Sequence, residues 1–431
     1  MRAAEELVIT GGAPIRGELR LPGCKGISHR ALLFGAIAEG DSHLRGLASG
    51  HDVRSTSRAL AALGVVLHDV DGTTTVVGRG FDGLVEPNTV LDCGNSATTM
   101  RMLTGLLAGR PFLSVLTGDS SLVERPMARV AAPLRKMGAL IDGRHDGERA
   151  PLVVRGGALS GTNIRLPVAS GQVKTALILA ALQAAGTTQI AEPAPSRDHT
   201  ERMLVASDAP ITRIDDRSVE VTAGAPTPFD LDVPGDPSSA AFFVVAAAIT
   251  PESDLLLTDV LLNPGRIEFI DVLRRMGAHI ELHERDTRLG EPVGDIAVTS
   301  APLRGTVVDC HEAIIDEVPA LAVAAAFADG VTEFRGAGEM RVKETDRIAT
   351  LEQELSKLGV GVETGPDTMT IRGGAPRAAT LDSHGDHRIA LAAAVAASAI
   401  DGESRIAGWD AVAVSYPGFS DDLARLTGSS A

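Results

Sequence analysis

The amino-acid sequence predicts an α/β protein of two domains, assembled from six copies of a strand–helix–strand–helix–strand–strand unit with helices inside and sheets outside. The 431 residues are too many for one ordinary hydrophobic core. Hydrophobic residues make up 44% of the chain, which supplies enough apolar surface for two cores. One pattern also recurs at intervals of about 70 residues, which is typical of chains built from a repeated structural unit.

Each copy opens with a short apolar strand, continues through a loop of Gly, Ser, Asp, Asn or His, and enters a helix rich in Ala and Leu. The copies read LRLPGCKGISHRALLFGAIAEG from Leu19, LDCGNSATTMRMLTGLLAG from Leu91, LPVASGQVKTALILAALQAAG from Leu166, DVPGDPSSAAFFVVAAAI from Asp232, VDCHEAIIDEVPALAVAAAFADG from Val308, and LDSHGDHRIALAAAVAASAIDG from Leu381. These first helices are apolar on nearly every side, so we expect them to be buried.

A second, amphipathic helix follows in most copies and ends in Leu-Gly or Met-Gly. The segments are RALAALGVVL, APLRKMGALI, DVLRRMGAHI and EQELSKLGVGV. Gly at this point is a common helix C-cap, and the alternating residues after it predict a strand. The third copy departs from the pattern, because Ser207 and Asp208 stand where the others have Leu-Gly.

The loops that precede the buried helices predict a site for anions. A helix N-terminus presents unpaired N–H groups and the positive end of the helix dipole. Parallel buried helices would direct several such ends toward one region, which favours phosphate and carboxylate ligands. Each end contributes only about 0.3–1 kcal/mol, so side-chain cations must supply the rest.

Composition excludes several classes of function. The net charge of −16 argues against a nucleic acid or an acidic membrane as partner. The longest apolar run, near Ala240–Ile249, is too short to cross a bilayer, and the N-terminal residues lack a secretory signal core. Cys24, Cys93 and Cys310 form no CxxC pair, which excludes a typical zinc cluster and favours a reducing compartment. We therefore expect a cytoplasmic protein.

The few cationic side chains concentrate in the loops at the start of the predicted helices. The chain has only five lysines: Lys25, Lys136, Lys174, Lys343 and Lys357. The basic residues at these loops and in the neighbouring motifs are Lys25, Arg30, Arg101, Arg125, Arg197, Lys343, Arg347 and Arg388. Isolated surface cations usually mean solvation, but Lys25 and Arg388 border apolar helices, where an unpaired charge is unfavourable.

Two acidic residues admit both a structural and a catalytic interpretation. Asp316 precedes a predicted buried helix and could cap it, whereas Glu344 lies between Lys343 and Arg347 and could be their ion-pair partner. His387 likewise fits either an ordinary cap or a site residue. The loop GCKG lacks the Walker spacing, so nucleotide binding is not supported.

The motifs together resemble the 5-enolpyruvylshikimate-3-phosphate synthase family, also called 3-phosphoshikimate 1-carboxyvinyltransferases. They are LPGCKGISHRALL, CGNSATTMR, RVKETDR and DHRIA, of which RVKETDR is the most specific match, and the resemblance covers nearly the whole chain. It implies that the 5-hydroxyl of 3-phosphoshikimate attacks the central carbon of phosphoenolpyruvate and that phosphate then leaves a tetrahedral intermediate. It implies no metal and no organic cofactor.

The resemblance also implies a two-domain inside-out α/β barrel with three βαβαββ repeats per domain and with the substrates between the domains. One domain is expected to comprise residues 1–20 and 236–431, and the inserted domain residues 24–233, with crossovers near 21–23 and 234–235. We expect a monomer whose partners are its two small substrates alone.

The family's site residues transfer to this sequence position by position. The residues that resemble phosphoenolpyruvate contacts are Lys25, Ala97, Arg125, Gln172, Arg347 and Arg388. Those that resemble 3-phosphoshikimate contacts are Lys25, Gly26, Arg30, Ser170, Gln172, Ser196, Arg197, Asp316 and Lys343. Asp316 is similar to the proton acceptor near the attacked hydroxyl, Glu344 to the donor that protonates the methylene carbon, and Lys25 to a further catalytic residue.

Four positions depart from the common family pattern. Gly26 and Cys24 replace small polar residues, of which a Ser at position 26 would contact 3-phosphoshikimate, and Val414 replaces a frequent lysine that contacts phosphoenolpyruvate. Ala97 replaces a glycine and is similar to the glyphosate-tolerant branch of the family. The resemblance therefore implies tolerance to glyphosate.

Three rival functions were weighed against this one. The sister enzymes that act on UDP-N-acetylglucosamine place a cysteine five residues before an Arg-Pro pair, but here Ser120 precedes Arg125 and Pro126. A non-catalytic regulator that binds shikimate-like ligands is favoured only by Gly26 and Val414. RNA 3′-phosphate cyclases have a similar repeat unit, but this acidic chain lacks a basic surface and their motifs.

Overall fold

The computed structural model describes residues 5–428, which fall into two compact units. Among these residues, unit 1 comprises 5–22, Pro234–Asp286 and 292–428, and unit 2 comprises Gly23–Val233 and Thr287–Glu291. The predicted discontinuous domain also includes residues 1–4 and 429–431, which lie outside the described residues. The predicted discontinuous domain includes residues 287–291, which belong to unit 2, because nothing in the sequence marks these five residues as part of that unit.

The first half of the chain runs through three copies. The strand β1 (Glu6–Gly11) precedes the first copy, which contains β2 (Arg16–Arg20), α1 (Lys25–Ile37), β3 (Glu39–Arg45), α2 (His51–Ala62), β4 (Val66–Val70) and β5 (Thr73–Arg79). The second contains β6 (Leu91–Asp92), α3 (Ala97–Ala108), β7 (Leu113–Thr117), α4 (Ala128–Lys136), β8 (Leu140–Gly143), the short α5 (Arg144–Gly147) and β9 (Arg149–Arg155). The third contains β10 (Leu159–Ser160), β11 (Asn163–Arg165), α6 (Gly171–Ala181), β12 (Ala184–Ala185), β13 (Thr188–Ala191), α7 (His199–Ala206), β14 (Ile211–Arg213) and β15 (Ser218–Val221).

The second half continues with three more copies. The fourth contains β16 (Asp230–Asp232), α8 (Pro237–Ile249), β17 (Asp254–Leu261), α9 (Glu268–Met276), β18 (His279–Arg288) and β19 (Glu291–Thr299). The fifth contains β20 (Val307–Asp309), α10 (Val318–Phe327), β21 (Val331–Arg335), α11 (Arg347–Lys357), β22 (Gly361–Thr364) and β23 (Met369–Arg372). The sixth contains β24 (Thr380–Asp382), α12 (His387–Ala399), β25 (Gly402–Ala407) and α13 (Phe419–Thr427).

The four-stranded sheets share one strand order, in agreement with the predicted repeat. The second, third and fifth copies form the sheets β6-β7-β9-β8, β11-β13-β15-β14 and β20-β21-β23-β22. In each, the first strand pairs in parallel with the second, and the remaining pairs are antiparallel. The helix between the two parallel strands is the buried one, as in any β-α-β crossover.

The first and fourth copies exchange their opening strands. β2 pairs in parallel with β17, where Leu19 lies opposite Leu257, and completes the sheet β18-β19-β17-β2 of unit 1. β16 pairs in parallel with β3, where Leu231 lies opposite Leu44, and completes the sheet β16-β3-β5-β4 of unit 2. The chain passes from one unit to the other directly after β2 and directly after β16, which explains why unit 2 is inserted into unit 1.

The sixth copy differs from the expected pattern. Its sheet has the order β1-β25-β24, so the N-terminal strand β1 supplies the antiparallel neighbour that the other copies take from their own last strand. In place of two further strands, the copy ends in α13. The N- and C-terminal parts of the chain thereby complete one repeat together.

The predicted inner helices are buried as the sequence analysis expected. In unit 1, α8, α10 and α12 pack against one another, and nearly every residue of each is inaccessible to solvent. In unit 2, α3 and α6 approach closely: a Cβ at Gly105 would lie 2.0 Å from the carbonyl oxygen of Ala176. The strands outside them alternate between buried and exposed residues, as β9 does. Helices therefore lie inside each unit and sheets outside.

A residue with positive φ follows the second helix of most copies and leads the chain into the next pair of antiparallel strands. Gly64, Gly138, Gly277 and Gly359 follow these helices with φ of 87°, 109°, 104° and 84°. Asp208 takes the same role in the third copy with φ of 57°, since Asp tolerates the left-handed region better than most residues. The departure seen in the sequence therefore leaves the geometry of the repeat unchanged.

Residues 5–428 offer neither a membrane-spanning helix nor a cluster of metal ligands. No helix in this range is long and apolar enough to cross a membrane. Within the same range, no group of three or more His, Cys, Asp and Glu side chains is arranged to hold a metal ion.

Candidate active site

Polar caps begin most of the inner helices. Ser96 accepts a hydrogen bond from the backbone N–H of Thr99 at 3.1 Å, and Ser170 accepts one from Val173 at 3.4 Å. Asp236 and Asp386 cap α8 and α12 in the same way. Since caps of this kind occupy only some of the first N–H groups of a helix, the remaining ones stay available for a ligand.

In unit 1, three cations surround the carboxylate of Asp316. The Nζ of Lys343 lies 3.5 Å from it, and guanidinium nitrogens of Arg347 and Arg388 each lie 3.7 Å from it. Arg388 also donates to the backbone carbonyl of Asp316 at 2.8 Å. The N-cap of α10 is Glu317, so the interpretation of Asp316 as the cap is wrong.

Glu344 joins this cluster through Arg347. Its carboxylate accepts a hydrogen bond from Nη2 of Arg347 at 2.6 Å, while 18% of its side chain remains exposed. Arg347 is 1% exposed, and its Nε donates to Asp386 at 2.7 Å. Glu344 is therefore an ion-pair partner of Arg347, as one interpretation predicted. Arg347 also pairs with Asp316.

The buried pair of Arg347 and Asp386 is held in its charged form. Burial opposes charge on both groups, but the carboxylates of Asp386, Glu344 and Asp316 outweigh it and raise the pKa of Arg347. Burial likewise opposes ionisation of Asp386, and Arg347 overcomes it and lowers the pKa of that carboxyl. Asp386 also caps α12 through the N–H of Arg388 at 2.9 Å, so a single carboxylate fixes both arginines.

His387 and Val414 lie at the same end of α12. His387 is the first residue of the helix, and its Nδ1 lies 2.5 Å from the hydroxyl of Ser415. Val414 precedes Ser415 and ends the short 3-10 helix Trp409–Val414. The side chain of Val414 offers no charge to a ligand at the position where the family pattern has a lysine.

In unit 2, Lys25 and Arg30 lie on the first two turns of α1. Lys25 donates to Asp52 at 3.0 Å and keeps 25% of its side chain exposed. Arg30 is buried and donates to Thr200 at 2.7 Å, to Thr175 at 2.9 Å and to the carbonyl of Gly26 at 2.9 Å.

Arg30 is a buried cation whose hydrogen-bond acceptors among the described residues are all neutral. Burial lowers its pKa to about 10, although Glu201 acts in the opposite direction and Arg197 adds repulsion. The side chain therefore stays protonated at neutral pH with little compensation, which favours an anionic ligand beside it. Arg197 itself lies in the loop that precedes α7.

Gln172 connects α6 to α3. Its Oε1 accepts a hydrogen bond from Arg101 at 2.6 Å, and its Nε2 donates to Thr98 at 2.9 Å, next to Ala97 at the start of α3. Arg125 donates to Asn95 at 3.2 Å in the loop before the same helix. Since Arg30 reaches Thr175 on α6, the first turns of α1, α3 and α6 are joined by side chains.

Sequence reasoning missed a buried ion cluster beneath Ser170 and Ser196. Nζ of Lys174 lies 2.7 Å from both Glu192 and Glu201. Glu192 in turn accepts the backbone N–H of Ser170 at 2.8 Å and the hydroxyl proton of Ser196 at 2.7 Å. The available signal was Lys174 itself, one of five lysines and placed within an otherwise apolar helix.

Each unit thus assembles part of the predicted set of site residues. Unit 1 holds Asp316, Lys343, Glu344, Arg347 and Arg388 in one connected cluster. Unit 2 holds Lys25, Gly26, Arg30, Ala97, Arg125, Ser170, Gln172, Ser196 and Arg197. Arg125 lies in the segment before α4, Ser196 and Arg197 lie before α7, and the others lie in or next to the first two turns of α1, α3 and α6. Every predicted site residue therefore lies at or beside the start of a helix or in the short segment before it.

Comparison with known proteins gives a consistent result. The family model of EPSP synthase (3-phosphoshikimate 1-carboxyvinyltransferase) matches residues 9–423. Proteins named 3-phosphoshikimate 1-carboxyvinyltransferase from Synechococcus sp. (strain JA-3-3Ab) and Desulforudis audaxviator are each 49% identical to this chain, and the matches cover 98% and 97% of this chain and 97% and 99% of those proteins. The structure of EPSP synthase from Acinetobacter baumannii matches with a TM-score of 0.86 and 39% identity over 97% of both chains. The enolpyruvyl transferase NikO from Streptomyces tendae, at 19% identity and a TM-score of 0.80 over 98% of both chains, shares the fold.

Proposed function

The chain belongs to the EPSP synthase (3-phosphoshikimate 1-carboxyvinyltransferase) family, and from this premise we propose that it transfers the carboxyvinyl group of phosphoenolpyruvate to the 5-hydroxyl of 3-phosphoshikimate. The product of the transfer is a carboxyvinyl ether, and inorganic phosphate is released. The reaction places the chain in the shikimate pathway of aromatic amino acid biosynthesis.

The reaction needs an acid, a base and a set of cations. A base removes the proton of the 5-hydroxyl while its oxygen bonds to C2 of phosphoenolpyruvate, and an acid protonates C3, which becomes a methyl group. Elimination then returns a proton from C3 and breaks the bond between C2 and the phosphate oxygen. Cations stabilise the charge that develops on the leaving phosphate.

The observation that carries the proposal is the cluster of Asp316, Glu344 and their shared cations in unit 1. Asp316 is the base in this mechanism and Glu344 the acid. Lys343, Arg347 and Arg388 lie within 3.7 Å of Asp316, and 17% and 18% of the two acidic side chains remain exposed. Both acids are thus held in place by cations and still open to a ligand.

The substrates need several cations because each brings a charge of about −2.5 to −3, mostly from a phosphate with a second pKa near 6. Phosphoenolpyruvate is bound by Lys25, Ala97, Arg125, Gln172, Arg347 and Arg388. 3-Phosphoshikimate is bound by Lys25, Gly26, Arg30, Ser170, Gln172, Ser196, Arg197, Asp316 and Lys343. Buried and little-compensated Arg30 supports the second assignment, because a phosphate would supply the anion that its surroundings lack.

Tolerance to glyphosate forms a finer part of the proposal. Ala97 is the first residue of α3 and is only 5% exposed. A methyl group at a tightly packed site costs an overlapping ligand about 1–3 kcal/mol. Glyphosate is longer than phosphoenolpyruvate, so it loses more affinity than the substrate does.

The proposal includes a cytoplasmic monomer without a nucleic-acid or membrane partner. The net charge of −16 supports this part, because acidic polymers and acidic lipid surfaces repel such a chain.

The experiment that tests the proposal is a phosphate-release assay with mass spectrometry of the organic product. We expect phosphate to appear only when 3-phosphoshikimate and phosphoenolpyruvate are both present, together with the carboxyvinyl ether. Asp316→Asn and Glu344→Gln should lower kcat by about 10²–10⁴, the usual contribution of a positioned acid or base.

The control variant is Glu352→Gln on the same helix as Arg347. Glu352 accepts a hydrogen bond from Thr364 at 2.7 Å, and in the part of the chain that the structure describes its carboxylate forms no hydrogen bond or ion pair with a site residue named above, so its replacement should leave kcat unchanged. If the wild-type chain releases no phosphate from the two substrates, the proposed function is wrong.

A further inference from the structure

Lys174, Glu192 and Glu201 form a buried ion cluster. Within it, Glu192 is hydrogen-bonded to Ser170 and Ser196, the two serines assigned to 3-phosphoshikimate. We propose that Lys174 and Glu192 are positioning residues that fix Ser170 and Ser196 and allow Ser196 to turn its hydroxyl to the phosphate. This inference rests on the proposed function, because it concerns how that site takes its phosphorylated substrate.

Glu192 is the centre of the cluster. Its side chain is fully buried, and each carboxylate oxygen has a defined partner: Oε1 accepts the backbone N–H of Ser170, and Oε2 accepts both the hydroxyl of Ser196 and the ammonium of Lys174. A buried carboxylate needs such partners to stay ionised. Glu192 therefore holds two serines in a fixed arrangement: Ser170, which lies 22 residues before it, and Ser196, which lies 4 residues after it.

The serine hydroxyls differ in how they can meet a phosphate. Oγ of Ser170 accepts a hydrogen bond from Val173, so its own proton can be donated to a phosphate oxygen. Ser196 donates its single hydroxyl proton to Glu192. It must therefore break that hydrogen bond before it can donate to a ligand.

Lys174 makes this exchange possible. Because its Nζ lies 2.7 Å from the same Oε2, the oxygen keeps a charged donor after Ser196 turns away. Without Lys174, the departure of Ser196 would leave a buried carboxylate oxygen without any donor, which is strongly unfavourable. The ammonium also offsets part of the negative charge of Glu192 and Glu201, which would otherwise repel a phosphate more strongly.

Glu201 holds the other side of the ammonium. Its Oε1 lies 2.7 Å from Nζ of Lys174, its side chain is 3% exposed, and its Oε2 has no hydrogen-bond partner among the described residues. Glu201 is also the first of the groups that favour the charged form of Arg30. Glu201 therefore connects the cluster electrostatically to Arg30, whose charge it offsets only in part.

The test measures binding of 3-phosphoshikimate by calorimetry and steady-state kinetics for the full-length wild-type chain and Lys174→Met. Methionine keeps most of the volume of lysine and removes the charge. We expect the Kd and KM for 3-phosphoshikimate to rise about ten- to a hundredfold. This is the effect of leaving one buried polar group, here Oε2 of Glu192, without a hydrogen-bond donor. KM for phosphoenolpyruvate and kcat should stay within about twofold, since neither requires Ser196 to turn.

Arg110→Met is the matched control. Arg110 is another buried cation of unit 2, follows the C-terminal end of α3 and pairs with Asp82 at 3.0 Å. It should leave the affinity for 3-phosphoshikimate unchanged. In a Ser196→Ala background, Lys174→Met should have a much smaller effect, because no hydroxyl remains to be released.

Glu192→Gln serves if Lys174→Met does not fold. If the amide oxygen keeps the N–H of Ser170, the amide nitrogen faces the ammonium of Lys174, and two donors oppose each other where Oε2 accepted. The arrangement of the two serines is then disturbed, and the same rise in Kd is expected. An unchanged Kd in a folded variant, or equal losses in Lys174→Met and Arg110→Met, would overturn the positioning role. Absence of turnover in the wild-type chain would instead count against the proposed function, and the Kd ratio would still test Lys174.

Discussion

At the scale of single residues, the cluster in unit 1 depends on buried charges that stabilise one another. Arg347 is 1% exposed and contacts the carboxylates of Asp316, Glu344 and Asp386. Removal of one partner from a buried ion pair typically destabilises a protein by about 3–5 kcal/mol. The geometry of the acidic residues is therefore tied to the stability of the unit that holds them.

Ala97 gives a prediction on inhibitor selectivity. Ala97→Gly removes the methyl group at the start of α3 and should increase sensitivity to glyphosate several-fold, while KM for phosphoenolpyruvate changes less, because the longer molecule gains more room. Inhibition curves at fixed phosphoenolpyruvate concentration check this. An unchanged inhibition constant would exclude Ala97 as the cause of tolerance.

His29 gives a prediction on pH dependence. It is buried, its Nδ1 lies 2.7 Å from Thr56, and burial, followed by Lys25 and Arg30, holds its pKa well below 6.5. The unfolded chain takes up a proton near pH 6.5 and the folded chain does not. Stability from this residue is therefore complete above about pH 6.5 and falls as the pH drops below it, by at most about 1.4 kcal/mol per pH unit.

The variant His29→Asn keeps a hydrogen-bonding group near Thr56 and cannot titrate. Urea denaturation of both proteins at about pH 7.5 and 5.5 should show a smaller loss of unfolding free energy for the variant. Equal losses in the two proteins would mean that His29 is protonated in the folded state.

At the scale of elements, close contact between inner helices sets the spacing of their N-termini. Gly105 of α3 faces the backbone of Ala176 on α6, and an added Cβ would lie 2.0 Å from the carbonyl oxygen of Ala176. Gly105→Ala should therefore destabilise the protein by about 1–3 kcal/mol or more, since the backbone must shift. Chemical denaturation measures this loss.

Gly157→Ala is the control for that substitution. A Cβ at Gly157 meets no atom within 4 Å, and its φ is not in the left-handed region, so its stability should change little. Similar losses for the two variants would contradict the role given to the contact between α3 and α6.

Elements were the part of the structure that the sequence predicted best. The inner helices follow from residues that are apolar on every side, and the turns after the outer helices follow from glycine. The sequence did not predict that Asp208 takes the place of this glycine in the third copy, because Asp is far less specific for positive φ than Gly. The Lys174 cluster was missed for a related reason: the glutamates that hold it lie 18 and 27 residues further along the chain.

At the scale of the whole molecule, the number of copies could be predicted but the exchange of strands could not. β2 and β16 each read as the first strand of the copy that follows it, and only the pairing of Leu19 with Leu257 and of Leu231 with Leu44 reveals the exchange. The partners of these two exchanged strands lie more than 180 positions away along the chain, and a single sequence carries no local signal for such distant pairing. The role of β1 in the sixth copy was hidden for the same reason.

The site residues were predicted from their resemblance to a family, while their physical arrangement came from the structure. The sequence could not decide whether Asp316 caps a helix, whereas in the structure the N-cap of α10 is Glu317 and Asp316 lies among Lys343, Arg347 and Arg388.

Proton transfer by Glu344 and Asp316 is the claim on which the proposed mechanism depends. The most direct measurement is mass spectrometry of the carboxyvinyl product formed by the wild-type chain in D₂O. Glu344 exchanges its proton with solvent and delivers a deuteron to C3 of phosphoenolpyruvate, and elimination then removes one hydrogen of the resulting methyl group. We predict deuterium on the methylene carbon of the product, and formation of labelled product that is about 10²–10⁴ slower with Glu344→Gln. Product that forms at the normal rate without deuterium at that carbon would contradict the mechanism.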